Sequence, residues 1–553
     1  MNIINSSIFT MISSITLIVW FVALYFRSKF ALHMIQLEGY KTKNYINWLK
    51  EFRHRVFPGK VAFPIIGIMA LFIIHLITIN ITKSLAIWLG FVVLWIILLL
   101  LSVEFKKEKA KKELIFTKRA KRLFISNFIV NIFELAILYI IYYKLFKLTN
   151  YSYPIILVGL SLIYLYVPYN MILANILVSP IEKRINNYYY NMAYNKVRGF
   201  KDLKVVGITG SFGKTSTKFI TTTILKEKFN VLKTPESYNT PMGISKVINN
   251  TLNEEHEVFV AEMGARKIGD IKEVAQLSNP HIGILTSVGP AHLDTFKNIE
   301  NIMKTKYELI EELPPDGIAI FNYDNEYVRR LADKTFKEKI LYGMNDTEKL
   351  DLYATDIQVS EEGSTFILKD KEGNSVKCKS NLLGKHNISN LLAGAAAGKA
   401  LGLTLEEIAK GIEKVEPVPH RLQLINPGTG VIVIDDAFNS NPVGARAALE
   451  VLSQFREGRK VIVTPGMVEL GKEEEKENKE FGRSIAKVCD YAILVGKNRT
   501  KPIYEGLIEE GFNTESIFVV NSLDDATKRL QQIVKPKDVV LFENDLPDTY
   551  NEE

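Results

Sequence analysis

Cysteine is almost missing from this 553-residue chain: Cys378 and Cys489 stand far apart, outside any CxxC or Cys/His cluster. That excludes a disulfide framework and a structural zinc site, and it suits a reducing compartment. The first apolar run has no basic segment before it and no small-residue cleavage site after it, so it reads as an uncleaved span and not a signal peptide. An acidic balance is missing too. The formal charge is +8, but much of the excess sits between apolar runs, at membrane-flanking positions. Such charge reads as a topology signal or an anionic-lipid contact, and nucleic acid is not an expected partner.

What is present divides the chain in two. Its length suggests three or four domains. Residues 1–180 are crowded with Ile, Leu, Phe and Tyr, whereas the remainder has the charge and Gly/Pro punctuation of a soluble α/β protein. Apolar stretches near 8–26, 61–81, 84–102, 123–146 and 153–179 are each close to the roughly 20 residues needed to span a bilayer. The first reading is therefore a membrane domain of five helices, with a hairpin turn at Asn80-Ile81-Thr82-Lys83. Basic residues crowd 27–60 and 104–122, which places both on the cytoplasmic side, the N-terminus outside and everything after 180 inside. Residues 30–52 read either as an amphipathic interfacial helix or as a connecting loop. Glu134 lies within the fourth span and is a candidate functional group, or is neutralised by Lys or Tyr on a neighbouring helix. Pro154, Pro168 and Pro180 are expected to kink or end the fifth span.

After a linker at 181–203, Leu203–Ile208 has the pattern of a buried strand and 214–229 that of a helix. Between them runs Thr209-Gly210-Ser211-Phe212-Gly213-Lys214-Thr215-Ser216, a TGxxGKT phosphate loop in which Ile208 stands where the longer motif has its first glycine. Backbone N–H groups and the helix dipole bind polyphosphate in such a loop; Lys214 reaches the outer phosphates and the Thr215 hydroxyl binds Mg2+. ATP and Mg2+ are thus the expected cofactors. Strands at 231–234, 258–263, 281–287 and 317–322 alternate with helices at 241–252, 269–277 and 298–313, giving a doubly wound α/β domain over 204–417. Ligands bind at the carboxyl ends of its strands, so Glu262, a candidate Mg2+ ligand, and His292 draw attention. Lys306 alone reads as a solvated lysine on a helix face. Strands at 431–435, 460–464, 491–495, 517–520 and 538–542 predict a second, Rossmann-like domain over 418–553.

TGSFGKTSTK, VAEMGAR, PHIGILTSVGPAHLDTF, KTKYELI and IFNYDN resemble, in order and spacing, the Mur ligases that build the peptidoglycan stem peptide, and within that family the branch adding D-Ala-D-Ala. GKHNISNLLAGA at 384–395, His420-Arg421, VIDDAFNSNP at 433–442 and GMVELG at 466–471 extend the resemblance over roughly 350 residues. The resemblance implies an ATP-dependent amide ligase working through an acyl phosphate. It implies Thr215 and Glu262 at one metal ion, with His292 and Lys306, the lysine as a carbamate, at the other. It also implies Asn322 and Asp324 at the nucleotide, Arg421 at the phosphates, Asp436 and Asn439 near the nucleotide and reacting groups, and Asn441 toward the amine substrate. For the paired Asp435-Asp436, a strand-end cap is the competing reading.

Three departures stand out. The family aspartate of GDMxELG is Gly466 here, and a KGS-type segment near the end is replaced by LFENDLPDTY, with Glu543, Asp545 and Asp548. No domain for the uridine nucleotide fits between the last span and Lys204. Three readings follow. One is a membrane-anchored ligase joining an amino acid or dipeptide to a peptidoglycan-type precursor, UDP-linked or lipid-linked. Another is a ligase making a different envelope polyamide. The third is a membrane nucleotide switch without ligase activity, against which stands the retention of Thr215, Glu262, His292 and Lys306.

Overall fold

The computed structural model describes residues 3–77, 85–103, 112–146, 152–236, 238–290, 293–438, 441–468 and 470–545. It divides into two compact units, one up to Ile185 and one from Asn186 to Pro547.

The first unit is helical: Ile3–Leu37, Thr42–Glu51, Phe63–Ile77, Leu85–Ser102, Lys118–Ile141 and Ser152–Gly199, the last shared with the second unit. Three stretches, Thr10–Leu37, Lys118–Lys144 and Ile155–Gly199, are long and apolar enough to cross a membrane, while Gly59–Leu71 and Leu89–Ser102 are shorter apolar helices. The expected hairpin turn at 80–83 lies outside the described residues. The segment 30–52 is mostly helical and not a connecting loop: the first helix continues to Leu37 and a separate helix begins at Thr42. That second helix buries Tyr45, Trp48 and Leu49. Trp20 and Trp95 are wholly buried, and each indole N–H is satisfied, by Leu160 O at 2.8 Å and Ser161 Oγ at 2.7 Å.

Amides hold the interior of this unit together. Asn127 Oδ1 accepts from Ser28 Oγ at 2.9 Å, and Asn170 Nδ2 donates to Asn131 Oδ1 at 3.0 Å and to Glu134 Oε2 at 2.6 Å. Residues 127, 131 and 134 share one helix face by their i, i+4 and i+3 spacing. Glu134 is therefore met by an amide, not by the Lys or Tyr the sequence suggested. Pro168 and Pro180 do not end their helix either, since it continues to Gly199. Ladder bonds on either side and packing by neighbouring helices carry a helix past the missing donors. The stretch read as a linker is helical to Gly199, and Ala193 and Val197 join the core of the second unit.

The second unit contains two sheets. The first has nine strands in the order β2-β3-β1-β4-β5-β6-β7-β8-β9: β1 Lys204–Thr209, β2 Val231–Lys233, β3 Val258–Glu262, β4 Ile282–Leu285, β5 Ile318–Asn322, β6 Lys339–Gly343, β7 Leu352–Ser360, β8 Gly363–Asp370 and β9 Ser375–Ser380. Strands β1–β7 pair in parallel, and β7, β8 and β9 form an antiparallel extension. The central strands read as unbroken apolar runs because helices cover both faces. Since β3 and β4 flank β1, the chain leaves β1 toward opposite sides, and a crevice opens at its carboxyl end. The small-residue run of the Lys385–Ala400 helix allows a close approach to the Lys214–Leu225 helix: a Cβ on Gly394 would lie 2.9 Å from Ile220 Cγ2.

The second sheet has the order β10-β11-β15-β12-β13-β14: β10 Gln423–Ile425, β11 Ile432–Asp436, β12 Lys460–Thr464, β13 Tyr491–Val495, β14 Ile517–Val520 and β15 Val539–Glu543. All its pairings are parallel except β10 with β11. Every strand predicted in this half is present. Cys378 and Cys489 are free and buried.

Candidate active site

The loop after β1 is shaped by glycine where nothing larger fits. A Cβ on Gly210 would sit 2.1 Å from Thr286 Oγ1, and Gly213, at φ +79°, would meet Asn390 Oδ1 at 2.6 Å. The loop following β4 braces it: Ser211 N donates to Ser287 O at 2.7 Å, Thr286 Oγ1 to Phe212 O at 2.6 Å and Ser211 Oγ to Gly289 O at 3.0 Å. Gly213 caps the Lys214–Leu225 helix without a side chain, so first-turn N–H groups stay available to an anion. Lys214 Nζ donates to Gly210 O at 2.8 Å and to Ser211 O at 3.0 Å, which folds the ammonium back over the loop.

Glu262 ends β3 in register with Ile208 and is 1% exposed. Its Oε2 lies 3.0 Å from Lys218 Nζ and its Oε1 accepts from Asn239 Nδ2 at 3.0 Å. Burial alone would raise this carboxyl's pKa, but Lys218 and Lys214 outweigh it and hold the group below its ordinary value. Lys306, on the Ile299–Glu311 helix, is 4% exposed and makes no hydrogen bond among the described residues. Burial, and then Lys214, push its pKa well down. Its neighbour Glu308 accepts from Gly269 N at 2.7 Å and Lys272 N at 2.9 Å, capping the start of the Asp270–Ser278 helix.

Arg421 reaches the same neighbourhood from the other sheet. Burial and Glu262 both act on its guanidinium, and Arg421 in turn depresses Lys214. The flanking residues His420 and Leu422 have φ of +60° and +45°, a conformation that costs a bulky residue on the order of 1–3 kcal/mol. It is held by His420 Nδ1 with Asp435 Oδ2 at 2.7 Å and by Leu422 N donating to Asp436 Oδ1 at 3.2 Å. Four charged groups from four chain segments, Lys214, Glu262, Lys306 and Arg421, thus share one electrostatic neighbourhood.

The Mur ligase middle domain matches residues 208–398 and the Mur ligase glutamate ligase domain matches residues 420–543. The chain belongs to the Mur ligase family. Relatives include the UDP-N-acetylmuramoyl-tripeptide--D-alanyl-D-alanine ligases of Bacillus subtilis (30% identical, 61% of this chain and 72% of the relative) and Escherichia coli (34%, 53% and 65%). Among solved structures, the MurF ligase of Thermotoga maritima in complex with ADP is 27% identical with a TM-score of 0.59, covering 66% of this chain and 81% of its own. The protein is a MurF-like Mur ligase and hence an ATP-dependent ligase that forms amide bonds. Neither domain match reaches residues 1–207.

In this Mur ligase the residues expected from sequence have different fates. His292 and Asn439 lie outside the described residues. Asn322 Nδ2 donates to Thr286 O at 2.8 Å and to Ser389 Oγ at 3.2 Å, so it holds the brace of the loop. Asp324 accepts from Met344 N at 2.7 Å and Asn345 N at 3.0 Å, tying the ends of β5 and β6. Asn441 Oδ1 caps the Pro442–Ser453 helix, accepting from Val443 N and Gly444 N. Gly466 has φ +82°, and a Cβ there would lie 2.9 Å from Asn478 Oδ1, so the loss of the family aspartate is built into this turn. Glu543 is fully buried at the end of β15, in register with Asp436.

Sequence reasoning overlooked Lys218, Asn239 and Asn390. Lys218 carried a signal, standing four residues after Lys214 and so one turn along the same helix. Asn390 accepts from Thr217 Oγ1 at 3.2 Å, a contact across 173 residues that no local pattern announces.

The donor set fits one hard divalent cation. Glu262 provides a carboxylate, and the Thr215 hydroxyl makes no hydrogen bond among the described residues. Mg2+ needs only one or two such protein oxygens beside phosphate and water. Lys306 as an amine is no ligand for such an ion, and becomes one only as a carbamate.

Asp436 is pushed up to about 6, by burial first and Asp435 next, against the pull of Arg421. A carboxyl raised in the folded state favours folding below its unfolded pKa, and that contribution is lost as pH rises through about 6. Asp436→Asn is therefore expected to be about 3 kcal/mol more stable than the parent at pH 8 and equal to it near pH 3, while losing ligase turnover. Chemical denaturation at both pH values checks the sign.

Proposed function

We propose that this protein is a membrane-anchored ligase that joins an amino acid or dipeptide to the carboxylate of a cell-wall precursor, driven by ATP. The phosphate loop after β1 beside Glu262 at the end of the neighbouring strand, its oxygens held by Lys218 and Asn239, carries this reading, with Lys306 and Arg421 acting electrostatically on the same groups. The substrate carboxylate attacks the γ-phosphate to give an acyl phosphate and ADP, and the amine then displaces inorganic phosphate. Little covalent chemistry falls to the protein in such a transfer, which is driven by positioning and neutralised charge.

Loop N–H groups from Gly210 to Ser216 grip the polyphosphate, with Thr209, Ser211 and Phe212 fixing the loop's shape. Lys214 and Arg421 offset charge on the transferring group. Thr215 and Glu262 would hold one Mg2+, and His292 with carbamylated Lys306 a second; the metal supplies further charge neutralisation when bound. The free amine is the form that reacts with CO2, and the burial that lowers the Lys306 pKa favours that form. Lys218 and Asn239 fix both oxygens of Glu262 and act as positioning residues. Asn322 and Asp324 serve the nucleotide indirectly, through the loop brace and the β5–β6 junction. By the family resemblance, Asp436 and Asn439 serve the nucleotide and reacting groups. Asn441, with its oxygen spent on a cap, has only its amide nitrogen for the amine substrate.

In this reading residues 1–180 are the membrane domain, 181–203 connect it to the central domain 204–417, and 418–553 form the closing domain. The basic segments 27–60 and 104–122 face the cytoplasm. Three crossings or five give the same parity, so the N-terminus lies outside and the ligase inside, where ATP is. The relatives named above act on a UDP-linked muramoyl tripeptide and D-Ala-D-Ala. A lipid-linked precursor held at the membrane is the acceptor that a membrane-anchored ligase of this kind would meet. In detergent, the full chain is expected to release phosphate from ATP only when a muramoyl-peptide carboxylate and an amine are both present. Acceptor-independent hydrolysis would leave the nucleotide-switch reading instead.

A further inference from the structure

The helical unit contains an arginine that its surroundings leave uncommitted. Arg119 stands at the start of the Lys118–Ile141 helix, where the apolar stretch Lys118–Lys144 begins. It is half-buried, and its guanidinium lies 4.2 Å from the centre of the Tyr40 ring. The acid in its electrostatic neighbourhood is Glu182, and both oxygens of that carboxylate are taken by Arg122, at 2.5 and 2.9 Å. Among the described residues no group accepts a hydrogen bond from any of the five N–H donors of Arg119.

The stacking partner is itself held in place. Tyr40 adopts φ +60°, a conformation rare for a bulky residue, and its carbonyl accepts from Asn175 Nδ2 at 3.1 Å. Gln36 Nε2 donates to the Tyr40 hydroxyl at 2.9 Å, and the same side chain receives Ile115 N at 3.0 Å. Asn175 Nδ2 also donates to Thr42 Oγ1 at 3.0 Å. Contacts from three chain segments thus set the ring over which the guanidinium lies. A fixed, planar fork with free donors is suited to phosphoryl oxygens, which it can bind in pairs.

We propose that Arg119, oriented by Tyr40, grips the diphosphate of a lipid-linked substrate at the membrane surface. The inference rests on the membrane-anchored reading given above. UDP-linked and lipid-linked precursors share a sugar diphosphate, so a unit that replaces a nucleotide-binding domain still has that group to recognise. The height of Arg119, at the end of an apolar stretch, is where a lipid phosphate lies. The lipid chain then supplies by burial what the uridine supplies by base contacts.

Binding is tested without ATP or turnover, so this inference and the ligase reading fail separately. The full chain in detergent micelles is titrated with a polyprenyl diphosphate, followed by tryptophan fluorescence and native mass spectrometry. Saturable binding is expected, weakened about 10-fold or more in Arg119→Gln and less in Arg119→Lys, which keeps the charge but loses the fork. Tyr40→Leu is expected to weaken it about threefold by freeing the guanidinium plane, an effect of the size of one cation–π contact. Helicity and melting of each variant are checked first, and if Arg119→Gln does not fold, the Lys and Leu variants decide. Equal affinity of folded variants and parent overturns the proposal. Equal competition by phosphatidylglycerol micelles overturns the diphosphate assignment, and binding of inorganic pyrophosphate as tight as that of the lipid overturns the lipid one.

Discussion

Lys214→Met is expected to lower acceptor-dependent phosphate release by about 10²–10³-fold, the loss typical of removing one preorganised donor from a site of charge transfer. The ammonium is already aimed by Gly210 O and Ser211 O, so it needs no reorganisation when polyphosphate arrives. The cost should fall on kcat more than on KM for ATP, because the loop N–H groups and the helix terminus remain to hold the ground state. Fold stability should change little, since the helix start and the glycine turns are untouched. A steady-state comparison of kcat and KM checks this; unchanged kcat would remove Lys214 from the reaction.

Lys306→Met is expected to move activity and stability in opposite directions. An ammonium buried to 4% exposure without a hydrogen-bond acceptor is costly, and burial, followed by Lys214, depresses its pKa well below the ordinary 10.5. A base depressed in the folded state binds more protons when unfolded, so in the parent stability rises with pH between that lowered value and 10.5. Methionine of similar length removes both the cost and the pH dependence, and is expected to stabilise the fold by about 1–3 kcal/mol at neutral pH. Turnover should nevertheless fall by about 10²-fold or more, as for loss of a group that holds charge at the transferring phosphoryl. Thermal melts across pH with parallel turnover assays check it. If the working form is a carbamate, the parent should also lose activity in CO2-free buffer and regain it with bicarbonate, while the variant responds to neither. A variant that is more stable and fully active would reduce Lys306 to a relic of packing.

Much of the ligase half was legible in the sequence for a definite reason. Parallel strands buried on both faces are unbroken apolar runs, and β1, β3, β4 and β5 and the parallel strands of the second sheet appear where such runs stand. Strands β7 to β9 escaped that reading. They are half-polar, and Asp356 at φ +52° sits within a register shift between Thr355 and Gln358 that breaks the two-residue alternation. The membrane half was read as helical from its hydropathy. Periodicity says nothing of whether a proline ends a helix that neighbours support, and Pro168 and Pro180 do not end theirs.

The sequence by itself determined the phosphate loop, the β–loop–helix that carries it, the order of the motifs and the basic segments around the apolar runs. These are local patterns, written within a few turns of chain. Only the tertiary structure decided that Lys218 and Asn239 take the two oxygens of Glu262, that Asn322 and Asn390 brace the loop, and that Arg421 stands between two strained residues. It likewise decided that Lys306 is buried, where a helix-face lysine was expected in solvent, and that Arg119 lies over Tyr40 with its donors unspent. The charge state and orientation of a side chain depend on which distant segments exclude water from it, and no spacing along the chain records that.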